Sequence, residues 1–240
     1  MGEKGLSDSS NEKDSDFAKR REEAMARVQL MDKDVIHSNP EREQFFETVY
    51  EEAGGDAAAV PWADLEAKDK LDRWLKEHPN AGSKAIDVGC GLGDNAEAIS
   101  MAGWNTTAFD FSPKAIDWAK ARFPDTTVEY HVADLFDLPG DWIGRFDLVH
   151  ECYTMQSIPP ETLERSLPAI ASLVAPGGTL LVYTRIREDG GEVDGPPWPL
   201  EESSAVKFSE LGFQLLELEE FTIERPGRQI PHNFFVWQKR

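Results

Sequence analysis

From residue 84 onward, short apolar runs alternate with amphipathic segments. The apolar runs predict strands at 84–88, 106–110, 128–132, 146–150 and 178–184, and the segments between them predict helices near 94–102, 113–122 and 160–175. Ser112 and Pro113 are typical of a helix start, as the cap and the first helical residue. Strands separated by helices form βαβ units, so the pattern predicts an α/β, doubly wound and mostly parallel sheet.

The pattern changes towards both ends of the chain. Residues 1–16 are small, polar and charged and predict a disordered tail, while 17–80 predict a helical extension with helices over 16–31, 40–53 and up to about 78. In the core, 81–240, two β-rich runs joined by "PGRQIPH" predict a C-terminal antiparallel hairpin. The long loop 187–200 predicts a lid, in which Trp198 either caps a pocket or anchors the loop.

Composition excludes several classes of function. The chain has 45 acidic and 25 basic residues and a formal charge of −20, which argues against nucleic-acid or anionic-membrane binding. No apolar run approaches the roughly 20 residues of a membrane span, and the N-terminus lacks the apolar centre of a secretory signal, so we expect a cytoplasmic protein. Cys90 and Cys152 have no metal-type spacing and are expected to be free buried thiols; no metal is predicted.

The segment "AIDVGCGLGDNAEAI" holds three glycines, Gly89, Gly91 and Gly93, between a predicted strand and a predicted helix. Such a turn brings backbone amides and a helix N-terminus close to a ligand. The spacing is G-x-G-x-G rather than the dinucleotide G-x-G-x-x-G, and no Gly-Lys-Ser/Thr follows as in a P-loop. Asp87 and Asp94 add carboxylates that would repel a pyrophosphate, so we expect the cationic part of a ligand here.

Further acidic residues close the next two strands. Asp110 ends the second strand, where a carboxylate can accept hydrogen bonds from ribose hydroxyls. Asp134 follows the third strand and can accept from an exocyclic amine such as that of adenine, with Leu135 and Phe136 flanking the ring. Alternatively, Asp110 is a helix cap and Asp134 a turn residue. Acids at successive strand ends favour a ligand with an adenosine and a cationic amino-acid tail.

Five ordered segments carry a family resemblance over roughly residues 84–184. "AIDVGCGLGDNA", "TAFDFSPKAIDWAK", "VADLFDLP", "FDLVHE" and "APGGTLLVY" resemble the motif series of class I S-adenosylmethionine-dependent methyltransferases. The flanking segments "AVPWADLEAKDKL" and "DGGEVDGPPWPLEESSAVKFSELGF" resemble those of thiopurine, thiol and halide methyltransferase-like proteins, whose N-terminal segment folds over the cofactor. The resemblance implies a Rossmann-like fold and S-adenosylmethionine as the cofactor.

The resemblance also assigns residues to the cofactor. Trp62 would cover the cofactor from above, and Asp87 would orient the amino group of the cofactor. Gly89 and Gly91 would line the methionyl and ribose part, with Asp110 and Phe111 at the ribose. Asp134 and Leu135 would lie at the adenine, and Glu151 would face the methyl donor. Glu151 and its neighbour Tyr153 are the candidate catalytic residues. Strand alternation instead places His150 in a structural position, and His232, in the hairpin loop, is expected at the surface.

The acceptor remains open between classes. Methyl transfer from a sulfonium is an in-line displacement, in which a soft nucleophile such as a thiol or halide needs little help from a base. We therefore expect a small-molecule acceptor of that kind, bound by a monomer or homodimer. The alternatives are O- or N-methylation of a small carboxylic acid or amine with Glu151 as base, and a non-catalytic cofactor-binding protein.

Overall fold

The computed structural model describes residues 16–17, 19–28, 39–80, 82–191, 195–225 and 227–240. Of the predicted tail 1–16, only Asp16 lies among them; residues 29–31 of the first predicted helix and 192–194 of the predicted lid loop also lie outside the described residues. The chain divides into two compact units, Met1–Leu65 and Glu66–Arg240.

The first unit is helical where it is described. Helix α1 covers residues 19–28, and helix α2 covers Asn39–Ala53, close to the predicted 40–53. A short 3₁₀ turn, Ala57–Ala59, follows, and the Asp56 carboxylate caps it by accepting the N–H of Ala58 at 3.1 Å. A small apolar cluster holds this unit together, built from Val28, Phe45 and Val49 with Phe46 and Trp62 packed against them.

The second unit is built on one twisted sheet. Its strands are β1 (Lys84–Val88), β2 (Asn105–Asp110), β3 (Glu129–Val132), β4 (Phe146–Cys152), β5 (Val174–Arg187), β6 (Leu200–Glu201), β7 (Phe213–Arg225) and β8 (Arg228–Lys239). The spatial order is β3-β2-β1-β4-β5-β8-β7, and β6 pairs with β5 off this path. Strands β1 to β5 pair in parallel, whereas β8 is antiparallel to β5 and to β7. The predicted sheet and C-terminal hairpin are therefore confirmed.

Helices cover both faces of this sheet. They are α3 (Asp69–Glu77), α4 (Asp94–Met101), α5 (Pro113–Arg122), α6 (Pro160–Leu173) and the single turn α7 (Glu202–Ala205). The predicted start of α5 is confirmed, because the Ser112 hydroxyl accepts the Ala115 N–H at 3.1 Å with Pro113 as the first helical residue. Helix α3 contributes Leu71 and Trp74 to the apolar cluster that also contains residues of β1 and α4, so it belongs to the second unit.

Two strands are longer than their apolar runs predicted. Strand β5 extends to Arg187 because β8 pairs with it as far as Arg185 and β6 pairs with its last two residues. Strand β4 extends to Cys152, so Glu151 lies inside the strand rather than beyond its end. Across the described part of the chain, no helix combines the length and apolar character that crossing a membrane requires.

Candidate functional site

The glycine loop joins the end of β1 to the start of α4. Gly89, Gly91 and Gly93 have φ values of +62°, +52° and +90°, a region that residues with a Cβ rarely adopt. Packing adds a second constraint, since a Cβ on Gly89 would lie 2.3 Å from the Thr154 hydroxyl oxygen and one on Gly93 would lie 2.3 Å from that of Tyr130. These glycines are thus required by the protein's own packing as well as by any ligand.

Asp110 fastens this loop to the end of β2. Its Oδ2 accepts the N–H of Gly91 and its Oδ1 accepts the N–H of Ser112, each at 3.0 Å. Ser112 itself caps α5, so Asp110 links strand and loop rather than capping the helix. A carboxylate offers about four acceptor positions, so these two bonds are compatible with additional bonds from ribose hydroxyls.

Asp134 makes the turn interaction that was considered for it. Asp134 is exposed after β3, and its Oδ1 accepts the N–H of Phe136 at 2.8 Å, which is the turn interaction. The expectation that the Leu135 side chain flanks an adenine is wrong, because that side chain is 7% exposed and packs in the core with Val88 and Phe109. Phe111, which follows β2 directly, is half-buried.

Asp94 does not present a free charge to a ligand. Arg122, in the last turn of α5, donates to its two oxygens at 2.9 and 2.7 Å and to the Leu92 carbonyl at 2.6 Å. The expectation that Asp94 faces the cationic part of a ligand is therefore wrong, because this guanidinium already neutralises its carboxylate. Spacing along the chain did not reveal an ion partner 28 residues away.

A buried polar pair lies beneath the loop. Asp87 of β1 and His150 of β4 are adjacent in the sheet register, and the Asp87 Oδ1 lies 2.7 Å from the His150 Nδ1. The structural position predicted for His150 is confirmed by its complete burial. The second carboxylate oxygen of Asp87 is buried and makes no hydrogen bond among the described residues. An ammonium group bound at the loop would satisfy this oxygen, which fits the amino-acid tail of S-adenosylmethionine.

Glu151 is buried under the turn that follows β4. Its Oε1 accepts the N–H of Met155 at 3.0 Å, and its Oε2 makes no hydrogen bond among the described residues. Burial raises the pKa of Glu151 to about 7; the amides of Met155 and Thr154 oppose this rise and the charge of Asp87 adds to it. The carboxyl group therefore titrates near neutral pH.

Tyr153 and His232 form a hydrogen-bonded pair beside this turn. The Tyr153 hydroxyl lies 2.8 Å from the His232 Nε2, and Tyr153 has a φ of +67°, which is uncommon for a bulky residue. The expectation of a surface His232 is wrong, since only 2% of the residue is exposed. The signal was present in the sequence, because His232, Phe234 and Val236 alternate on one face of β8.

Two cations, absent from the predicted set, lie against the Tyr153 ring. The Lys68 Nζ is 4.7 Å from the ring centroid, and the Arg185 guanidinium carbon is 5.8 Å from it. The Lys68 N–H donates to the Asn95 side chain in the first turn of α4 at 3.0 Å. Lys68 directly precedes α3 and Arg185 lies near the end of β5, and hydrophobic periodicity along either segment does not identify the ring that the cation meets.

The two tryptophans predicted near the cofactor are anchored by the protein. Within the first unit, the Trp62 indole N–H donates to the Tyr50 hydroxyl at 2.8 Å and the ring packs edge-on against Phe46. The Trp198 N–H donates to the Gln156 carbonyl at 2.7 Å, which supports the anchoring alternative for that residue. Covering of the cofactor by Trp62 and closure of the loop 187–200 stay predictions.

The cysteines and other metal-type residues form no evident site. Cys90 and Cys152 form no disulfide and are half-buried. Within the described ranges, no group of three or more histidine, cysteine, aspartate or glutamate residues could hold a metal ion.

Comparison with known proteins agrees with this geometry. The family model described as a methyltransferase domain matches residues 85–178, which span β1 to the middle of β5. This part of the chain is therefore similar to methyltransferase domains. The "Ubiquinone biosynthesis O-methyltransferase" of Xanthomonas campestris pv. campestris (strain B100) is 36% identical over 105 residues, which cover 43% of this chain and 43% of that protein. The chain therefore matches less than half the length of this curated relative.

Solved structures extend the likeness to most of the chain. The [4+2]-cyclase SpnF superimposes with a TM-score of 0.68 at 17% identity, covering 85% of this chain and 97% of that one. Magnesium protoporphyrin IX methyltransferase from Synechocystis, crystallised with S-adenosylhomocysteine, gives 0.64 at 17% identity, covering 83% and 100%. The chain therefore has the α/β Rossmann-like fold of these proteins.

Proposed function

We propose that this chain transfers a methyl group from S-adenosylmethionine to a small-molecule acceptor. The observation that carries the proposal is the hydrogen bond from the Gly91 N–H to the Asp110 carboxylate, which joins the loop after β1 to the end of β2. The Asp87 oxygen that makes no hydrogen bond among the described residues is buried beneath the same loop. This hydrogen bond holds the backbone of the glycine loop next to the proposed ribose position, and the buried Asp87 oxygen suits an ammonium group. A pyrophosphate would instead bring its own negative charge close to the Asp87 and Asp110 carboxylates.

The proposed cofactor contacts follow from these positions. When bound, the cofactor supplies an activated methyl group on a sulfonium. Asp110 accepts the ribose hydroxyls, Asp87 accepts the ammonium group, and the turn at Asp134 and Leu135 faces the adenine through the Asp134 carboxylate and the Leu135 backbone amide. Gly89, Phe111 and Glu151 complete the proposed contact set within the second unit.

Two acceptor classes remain, and specific observations favour each. The resemblance to thiol and halide methyltransferases favours a soft nucleophile, which needs alignment rather than a base. The curated relative is described as an O-methyltransferase, and the present chain has a carboxyl group, Glu151, with a pKa of about 7. A hydroxyl or amine acceptor needs such a proton-accepting group. If Glu151 is the base, Glu151→Gln abolishes transfer while cofactor binding persists.

Cofactor binding is tested by calorimetric titration of the full chain with S-adenosylmethionine and S-adenosylhomocysteine. Asp110→Asn keeps an oxygen for the Gly91 amide but weakens the charged bonds to the ribose, so we expect a tenfold to hundredfold loss of affinity. Asp117→Asn, an exposed position on α5, is the matched control. Equal affinities for Asp110→Asn and the parent chain would refute the cofactor site.

Transfer is tested with radiolabelled methyl donor against thiols, iodide, phenols, amines and carboxylates. Labelled product from any of these establishes catalysis and identifies the acceptor class. Tight cofactor binding without transfer to any acceptor would instead favour the alternative of a non-catalytic cofactor-binding protein, since a fold does not fix a function.

A further inference from the structure

We propose that the acceptor is a small anionic molecule with a hydroxyl nucleophile, held by Lys68 and Arg185 and deprotonated by the Tyr153–His232 pair. This inference rests on the proposed function and names its substrate class. It assigns the proton-accepting role to Tyr153 and His232 rather than to Glu151, whose carboxyl group is fully buried under its turn.

The pair lies directly beside the proposed methyl donor site. Thr154, the residue after Tyr153, donates its hydroxyl to the Val88 carbonyl at 3.0 Å and fills the space where a Gly89 side chain would be. Lys68 is attached to the first turn of α4 through Asn95. The chain segments that carry Tyr153 and Lys68 are therefore both hydrogen-bonded to the elements that flank the glycine loop.

The charges around the ring select the sign of the acceptor. Within a chain of net charge −20, two cations converge on the face of Tyr153, and Lys68 also lies 5.6 Å from the Tyr183 ring centroid. The neighbouring Lys70 lies over a different ring, that of Phe221, with its Nζ 4.9 Å from the ring centroid. A carboxylate bound between Lys68 and Arg185 would gain charge-assisted hydrogen bonds beside an aromatic surface.

The hydrogen bonds of His232 define its tautomer. The Ile230 carbonyl lies 2.8 Å from the Nδ1 and can only accept, so the Nδ1 carries the proton and donates. The Nε2 then has a lone pair and accepts the Tyr153 hydroxyl proton. In this arrangement the tyrosine oxygen keeps lone pairs that can accept the O–H of an acceptor molecule.

The transfer step balances with these groups. The acceptor hydroxyl gives its proton to the Tyr153 oxygen, while the Tyr153 proton passes to the His232 Nε2. The acceptor oxygen uses its freed electron pair to bond the methyl carbon, and the carbon–sulfur bond breaks with its electrons going to sulfur. The products are a methyl ether, a neutral thioether and an imidazolium at His232, which returns its proton to solvent.

Lys68 and Arg185 also make the proton affinity of His232 depend on whether an anionic acceptor is bound. Burial lowers the pKa of His232 to about 4, the Ile230 carbonyl opposes this fall, and the charges of Arg185, Lys68 and Arg225 add to it. The other groups packed on the imidazole are the rings of Tyr153, Tyr183 and Phe221. An anion beside Lys68 and Arg185 offsets their repulsion and raises the affinity of His232 for a proton.

Binding provides the first test. The full chain, saturated with S-adenosylhomocysteine, is titrated with para-hydroxybenzoate and para-hydroxyphenylacetate, each against its uncharged carboxamide. We expect at least tenfold tighter binding of the anion, with loss of that preference in Lys68→Gln and its retention in the control Lys70→Gln. Equal binding of acid and amide, or binding of neither, overturns the proposal.

Turnover provides the second test. With the tighter-binding hydroxy acid, we expect Tyr153→Phe and His232→Gln to lower kcat at least a hundredfold with KM changed less than threefold. A thiol analogue, para-mercaptobenzoate, ionises without a base, so Tyr153→Phe should lower its methylation rate at least tenfold less than it lowers that of the hydroxy acid. Unchanged hydroxyl methylation in Tyr153→Phe overturns the proposal. Calorimetric binding of S-adenosylmethionine separates this outcome from a failure of the proposed function.

Discussion

The buried carboxyl group of Glu151 leads to a stability prediction. In the folded chain its pKa is raised from 4.5 to about 7, mainly because burial disfavours the charged form. A raised pKa means that the folded state binds the proton more tightly than the unfolded state does. The corresponding stabilisation is fully present below pH 4.5 and is lost as the pH rises through 7.

The size of the effect follows from these two values. A shift from 4.5 to about 7, at about 1.4 kcal/mol per unit, corresponds to about 3 kcal/mol of unfolding free energy. Glu151→Gln removes the ionisation and keeps a side-chain oxygen for the Met155 amide. The variant should therefore gain stability relative to the parent as the pH rises, by about 2 kcal/mol or more between pH 5 and pH 8.5.

Urea unfolding at the two pH values measures this difference directly. The stability difference between variant and parent is compared across pH, which cancels any constant effect of the amide itself. Glu161→Gln, an exposed position in the first turn of α6, is the matched control and should show no such dependence. A stability difference that is the same at both pH values would refute the buried, near-neutral carboxyl group.

The remaining predictions concern other parts of the same region. Gly89→Ala should lose cofactor affinity at least tenfold and destabilise the fold by about 1–3 kcal/mol, measured by calorimetry and urea unfolding, because its φ is +62° and Thr154 occupies the Cβ position. Asp94→Asn should cost about 1 kcal/mol of stability and leave cofactor affinity within threefold, since its partner is Arg122. The pKa of His232 is lowered from 6.5 to about 4, so its contribution to stability is fully present above pH 6.5 and is lost as the pH falls through 4. In His232→Gln the melting temperature should therefore fall less steeply over this pH range than in the parent chain.

The architecture was predictable because its signals are local. The apolar runs set the strands, and Ser112 with Pro113 set the start of α5, each through interactions within a few residues. The acids at the strand ends were predictable for the same reason, since parallel strands bring their carboxyl ends to one edge of the sheet. The position of Asp110 beside Gly91 follows from this rule without any long-range information.

The errors concern contacts between distant segments. Asp94 was assigned to a ligand because its partner Arg122 belongs to the next helix. The Leu135 side chain was assigned to the adenine ring because its burial depends on core residues of other strands. Lys68 and Arg185 were not predicted as site residues because their contacts with the Tyr153 ring form only when α3 and β5 pack beside it. Charge and polarity in the sequence identify such residues, but the fold decides which of them meet.

Tyr153 connects the two halves of the proposed site. Its left-handed backbone conformation costs about 1–3 kcal/mol, so neighbouring interactions must hold it in place. Three hydrogen bonds do so: its N–H donates to the Tyr183 carbonyl at 3.2 Å, its carbonyl accepts the Ser157 hydroxyl at 2.8 Å, and its hydroxyl meets His232. An extended backbone at this position would direct the ring away from His232 and move Thr154 off Gly89. The strain therefore sets the hydroxyl of Tyr153 and the glycine loop in one fixed relation, as an in-line methyl transfer requires.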